Sequence, residues 1–300
     1  MQKNDELPSP VIIGGIGGSG TRVVAEIISH LGFYIGDDLS PAKDNLWFLL
    51  LFKRPRWFHQ ACHDKKKIFT GLSLFSKAML HQTGPAWPEL RFLIRAVLEI
   101  SILGHNYKGD GRGLWPFLRA WNMVARQPKM TLNQGRWGWK EPNTHIYLEY
   151  LAAYFNNIKY IHTIRHGLDM AFSENQQQLY NWGPTLGLEL PKSRSDEPAT
   201  SLKYWLKSNR RVMEIGEKLG DQKFLVVNFD RLCLSPKSEI QKILSFLNIK
   251  RAAENLATVY RIPKIPKSLG RYRAQNISQF DPTDLSELND LGFSMAADDL

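Results

Sequence analysis

A β-branched run, Val11-Ile12-Ile13, passes straight into a glycine-rich segment from Gly14 to Arg22, GGIGGSGTR. From Val23 the apolar residues Val23, Val24, Ile27, Ile28 and Leu31 recur at helical spacing, and Gly32 supplies a stop. The order strand, glycine loop, helix turns successive backbone N–H groups inward and adds the partial positive charge of a helix amino end. Together these make a cradle for a phosphate. Simple tight-turn packing is the plain alternative for glycines in this position.

Set against the triphosphatase pattern G-x-x-x-x-G-K-[ST], Gly15 and Gly20 fit, but Thr21 stands at the lysine position and Arg22 at the hydroxyl position. A kinase or triphosphatase would lose both its β/γ-phosphate cation and its magnesium-binding hydroxyl. The expectation is an anion site without a metal. An atypical small-molecule kinase stays open as a rival.

Downstream, strands and helices alternate. Strands are expected at 137–139, 159–164 and 224–228, with helices over about 145–155, from about 168, over 200–219, and from Pro236. This pattern predicts a three-layer α/β/α fold around a central parallel sheet, with ligands at the carboxyl ends of the strands. Residues from about 45 to 134, rich in tryptophan and base, read as an inserted α-helical cap within a single domain spanning 1–300. Residues 279–300 read as an irregular acidic tail.

The bulk numbers bound the partners. A formal charge of +10 points to anionic ones: nucleotides, acidic glycans, nucleic acid or anionic membrane surfaces. Lys53, Arg54, Arg56 and Lys65 to Lys67 lie among Trp47, Phe52, Trp57 and Phe58. Such a cluster suits a stacking groove for nucleic acid, or simply a solvated face, and no recognition motif favours the former. The apolar runs at 46–52 and 92–103 are too short to span a bilayer, so a soluble cytoplasmic protein is expected. Cys62 and Cys233 are far apart and read as ordinary thiols.

The segment from Tyr160 to Ser173, YIHTIRHGLDMAFS, puts Arg165 at a strand end and Ser173 eight residues later. On a following helix, a guanidinium and a hydroxyl so spaced reach one phosphate. With Ser19-Gly20-Thr21-Arg22 after the first strand, this chain resembles the sulfotransferases that use 3′-phosphoadenosine-5′-phosphosulfate (PAPS). Val226 to Leu232 followed by Pro236, and the glycine-basic stretch Lys267 to Arg273, are similar to later segments of that family.

The resemblance implies transfer of a sulfuryl group from PAPS to an acceptor hydroxyl on a glycan, another metabolite or a peptide tyrosine. Gly17, Gly18, Ser19, Gly20, Thr21 and Arg22 would hold the 5′-phosphosulfate. Arg165, Ser173, Lys267, Gly270 and Arg271 would hold the 3′-phosphate. Lys140, in Trp137-Gly138-Trp139-Lys140-Glu141-Pro142, stands where the family carries a strand-end lysine. The departure is Gly18, where many members carry a lysine or arginine that steadies the leaving oxygen. Lys140 is the preferred replacement, ahead of Arg22; a catalytically silent PAPS- or glycan-binding protein is the other rival. For the general base the resemblance favours Asp44, then Asp38 and Glu141, although Asp44 would equally cap a helix at Leu46.

Overall fold

The computed structural model describes residues 8–82, 84–106, 109–125, 135–250 and 256–294. Four strands, β1 (Val11–Gly15), β2 (Gly138–Lys140), β3 (Lys159–Ile164) and β4 (Phe224–Asn228), form a parallel sheet in the order β2-β1-β3-β4. Register is fixed by Ile13 opposite both Lys140 and Ile161, and by Ile164 opposite Asn228. The chain leaves β1 for β2 on one side and then crosses to β3 on the other. A topological switch point therefore lies at the carboxyl end of β1, where such sheets bind ligands.

Alternation along the strands divides the core. Val11, Ile13, Ile161 and Val227 face one side, packed by α1 (Thr21–His30), α11 (Phe229–Leu234) and α12 (Pro236–Phe246). Ile12, Trp139 and Tyr160 face the other. That second face is covered by helices from two parts of the chain. One part is α2 (Leu46–Phe52), α3 (Pro55–Ala61), α4 (Lys65–Met79), α5 (Trp87–Leu103) and α6 (Trp115–Ala125). The other is α7 (Leu148–Tyr154), α8 (Gly167–Ala171), α9 (Gln177–Trp182) and α10 (Glu197–Leu219), so the three layers are present. Trp137 and Trp139 are fully buried with ring centroids 5.7 Å apart, and serve packing.

Two local expectations need correction. The helix expected over 145–155 begins as a 3-10 turn, Pro142–Tyr147, because proline opens it and Glu141 caps it through Asn143. The stretch read as an irregular acidic tail contains, after the short α13 (Ala257–Tyr260), a helix α14 (Pro282–Asp290) capped by Asp281. Two of its acids are paired: Glu287 meets Arg210 at 2.9 Å and Asp284 lies 4.0 Å from Lys203, both partners on α10. Its Leu288 is buried where Gly167 leaves room, since a Cβ there would lie 2.8 Å from it. Residues 295–300 lie outside the described set.

Candidate functional site

The loop from Ile16 to Gly20 joins β1 to α1, and its shape depends on glycine. Gly20 has φ +88°, and a Cβ there would lie 2.0 Å from the Phe229 ring. The first N–H groups of a helix have no intrahelical acceptor, and among the described residues none is seen for Gly20, Thr21 or Arg22. The Ser19 hydroxyl is buried beside them without a partner. Arg22 is exposed on the first turn, while Thr21 is buried. These groups fit an oxyanion: they offer donors and a helix amino end, and no side-chain acid of the loop opposes it.

Gly17 differs, because its N–H is taken by Gln178 Oε1 at 2.8 Å. Gln178 Nε2 in turn donates to Asn143 Oδ1 at 2.9 Å, and Asn143 donates to both oxygens of Glu141 at 2.7 and 2.8 Å. A polar chain thus ties the end of β2 to the phosphate loop. Gly18 is exposed at φ +97°, with the Met170 methyl 3.2 Å from where its Cβ would be. A larger side chain there would be strained as well as crowded.

Beside the loop opens a cleft of about 150 Å³ lined by Gly17, Asp44, Lys53, Glu141, Met170 and Gln178, among others. Asn45, not Asp44, caps α2: its Oδ1 accepts from Phe48 N at 3.0 Å and its N–H donates to Lys140 O at 2.7 Å. Asp44 is thereby free to face the cleft. Its Oδ1 accepts from Lys140 Nζ at 2.5 Å and its Oδ2 from Ser40 Oγ at 2.9 Å. Lys140 is buried, donates also to Ala42 O at 3.1 Å, and does not line the cleft. Asp38 turns away to Arg119 at 2.5 Å.

Sequence reasoning placed Lys53 in a basic surface cluster; the structure buries it and aims its Nζ at Gln177 Oε1, 2.8 Å away. Burial lowers its pKa, opposed by Glu141 and Asp44. Its neighbour Arg54 is buried against Glu99 and stacks over Trp57, so this pair is not a solvated face. Glu141 is enclosed; burial and then the nearby Asp44 push its carboxyl up to about 7. Asp44, Lys53 and Glu141 therefore form one coupled set around the cleft.

At the end of β3, Arg165 is buried and donates to Asp169 Oδ2 at 3.1 Å and to Ser268 O and Oγ at 2.6 and 3.0 Å. Asp169 also accepts from the N–H groups of Gly270 at 2.8 Å and Tyr272 at 3.3 Å, while Arg271 donates to Phe172 O at 3.3 Å. The late basic loop is thus folded onto the β3 terminus, bringing Arg165, Gly270 and Arg271 together. Ser173 lies nearby, but α8 stops at Ala171 with Phe172 as its cap, so the serine is beyond the helix rather than on it. Lys267 is exposed at the loop's start. Asp169 is the residue that sequence reasoning missed here, although its spacing of four from Arg165 is an ion-pair signal.

The fold has solved counterparts. The sulfotransferase domain from the Synechococcus PCC 7002 olefin synthase is 14% identical, with a TM-score of 0.51, covering 98% of this chain and 99% of that one. The sulfotransferase domain from the curacin biosynthetic pathway is 13% identical with the same score, over 97% and 99%. No curated protein sequence matches. The model of the sulfotransferase family matches residues 10–253, which include the glycine loop, the Asp44 cleft and Arg165 with Asp169, but not the late loop at 268–272 that folds onto them. Matched by that model over far more than half its length, and with its glycine loop at the switch point of a parallel sheet, the chain belongs to the sulfotransferase family.

Proposed function

We propose that this protein transfers the sulfuryl group of PAPS to an acceptor hydroxyl that enters the cleft beside the phosphate loop. The observation that carries the reading is the adjacency, in one cleft, of a phosphate cradle, a half-buried carboxylate held by a lysine, and a second, buried lysine. Gly18 to Arg22 hold the 5′-phosphosulfate; Arg165, Ser173, Lys267, Gly270 and Arg271 surround the 3′-phosphate. Helices α2 to α6 form the acceptor end, since Lys53 stands at the carboxyl end of α2.

The acceptor oxygen attacks sulfur while its proton passes to Asp44. The bond from sulfur to the bridging phosphate oxygen breaks, and its electron pair stays on that oxygen. Transition-state charge there needs a nearby cation. Gly18 offers none, and the Lys140 ammonium is committed to positioning Asp44. Lys53 faces the cleft from the carboxyl end of α2 and takes that role. A second reading, a catalytically silent protein that binds PAPS or an anionic glycan, draws on Gly18 and the net charge of +10.

The test is release of 3′-phosphoadenosine-5′-phosphate from labelled PAPS across a panel of sugar, phenol and alkyl alcohol acceptors. Asp44→Asn and Lys53→Met are each expected to bind nucleotide as the parent does and to turn over about 100-fold more slowly, the usual worth of one positioned group. Undiminished turnover in Asp44→Asn removes it as the base, and nucleotide binding without product from any acceptor favours the silent reading.

A further inference from the structure

Among the described residues, ten of the thirteen exposed large apolar side chains fall within residues 87–124. On α5, Trp87, Ile94, Leu98 and Ile102 share one face with Arg91 and Arg95, while Phe92, Leu93, Ala96, Val97 and Ile100 bury the opposite face. On α6, Phe117, Leu118 and Trp121 are 47%, 64% and 67% exposed, next to Leu114 at 80%. The two helices pack together, and Gly113 N donates to Ser101 O at 3.3 Å. Exposed apolar side chains clustered on two packed helices mark an interaction site.

Charge identifies the partner. Neither Arg91 nor Arg95 has an acidic partner among the described residues. Between α5 and α3–α4 runs a groove of about 530 Å³ lined by Trp57, Lys67, Trp87, Arg91 and Arg95. Lys65, Lys66 and Lys67 are exposed in the first turn of α4, where the helix dipole disfavours cations. An anionic surface outside the molecule would offset that placement. A second copy of this chain would not: in a two-fold contact on this face it would bring the same Arg91 and Arg95, and so like rather than opposite charge. No helix among the described residues is long and apolar enough to cross a membrane. An amphipathic helix flanked by tryptophan and base lies in the interface instead.

We infer that the α5–α6 face docks the protein on an anionic lipid bilayer, with the apolar side chains in the acyl boundary and Lys67, Arg91 and Arg95 against the headgroups. The experiment sediments the full chain with phosphatidylcholine vesicles, with and without phosphatidylglycerol, while light scattering records the mass in their absence. The chain should pellet with the mixed vesicles, with a blue shift of tryptophan emission, and much less with phosphatidylcholine alone. Leu98→Ser with Trp121→Ser should abolish pelleting. Arg91→Glu with Arg95→Glu should weaken it by about 30-fold or more, since each interfacial base is worth about 1 kcal/mol. All four positions are exposed, so circular dichroism should be unchanged. A chain that stays in solution with both vesicle types, or arginine variants that pellet as the parent does, overturns the proposal. So does a dimer that the Leu98→Ser, Trp121→Ser variant dissociates, which would make this face a contact between copies.

Discussion

Single residues set the shape and charge of the cleft. Gly20 combines φ +88° with a Cβ position inside the Phe229 ring, so Gly20→Ala faces backbone strain and overpacking together. A loss of about 2–4 kcal/mol in urea unfolding is expected, and a loss below about 0.5 kcal/mol would show that the loop adapts freely. Glu141 makes the opposite kind of demand, because the folded protein holds its proton up to about pH 7 whereas an exposed glutamate releases it near 4.5. Between those values the folded state binds more protons than the unfolded one, so this group's contribution falls as pH rises. Glu141→Gln should remove that fall. The difference in stability between variant and parent should shift in the variant's favour by up to about 3 kcal/mol between pH 4.5 and 7.5. Parallel stability curves would mean that Glu141 is ionised throughout.

Elements succeed or fail as sequence readings for local reasons. The β1–loop–α1 unit is legible because the hydrophobic period changes within a few residues, and β4 because its run stands between a helix stop and Asn228. Where Lys53 points is not legible, since it depends on α2 packing beneath Phe75 and Trp139 through Phe48. Ser173 misses its helix because Phe172 ends α8 early, and α14 escapes notice because its few apolar residues dock on α10 and Gly167 far away in sequence. The late loop, 268–274, hangs on Asp169, which is fully enclosed with Arg165. Asp169→Ala leaves that guanidinium short of a partner and frees two backbone N–H groups, at a cost of about 3–5 kcal/mol. Native-state hydrogen exchange should quicken at Gly270 and Tyr272 well before it does in β1; unchanged protection would show that the loop is held by its own turns.

For the whole molecule, the proposed function rests on the sheet order. β1 and β3 part company at the switch point, and the cradle after β1 and the Arg165 knot after β3 stand on either side of it. On the proposed reading these are two anion sites, for the 5′ and the 3′ phosphate of one nucleotide, and the Asp44 cleft adjoins the first of them. The direct test is calorimetry of 3′-phosphoadenosine-5′-phosphate against adenosine-5′-phosphate, in excess chelator. The bisphosphate should bind about 10- to 100-fold more tightly, the worth of one charge-assisted phosphate contact, and Arg271→Ala should erase much of that margin. Equal affinity for the two nucleotides, or tight binding only to ATP with magnesium, would contradict the account.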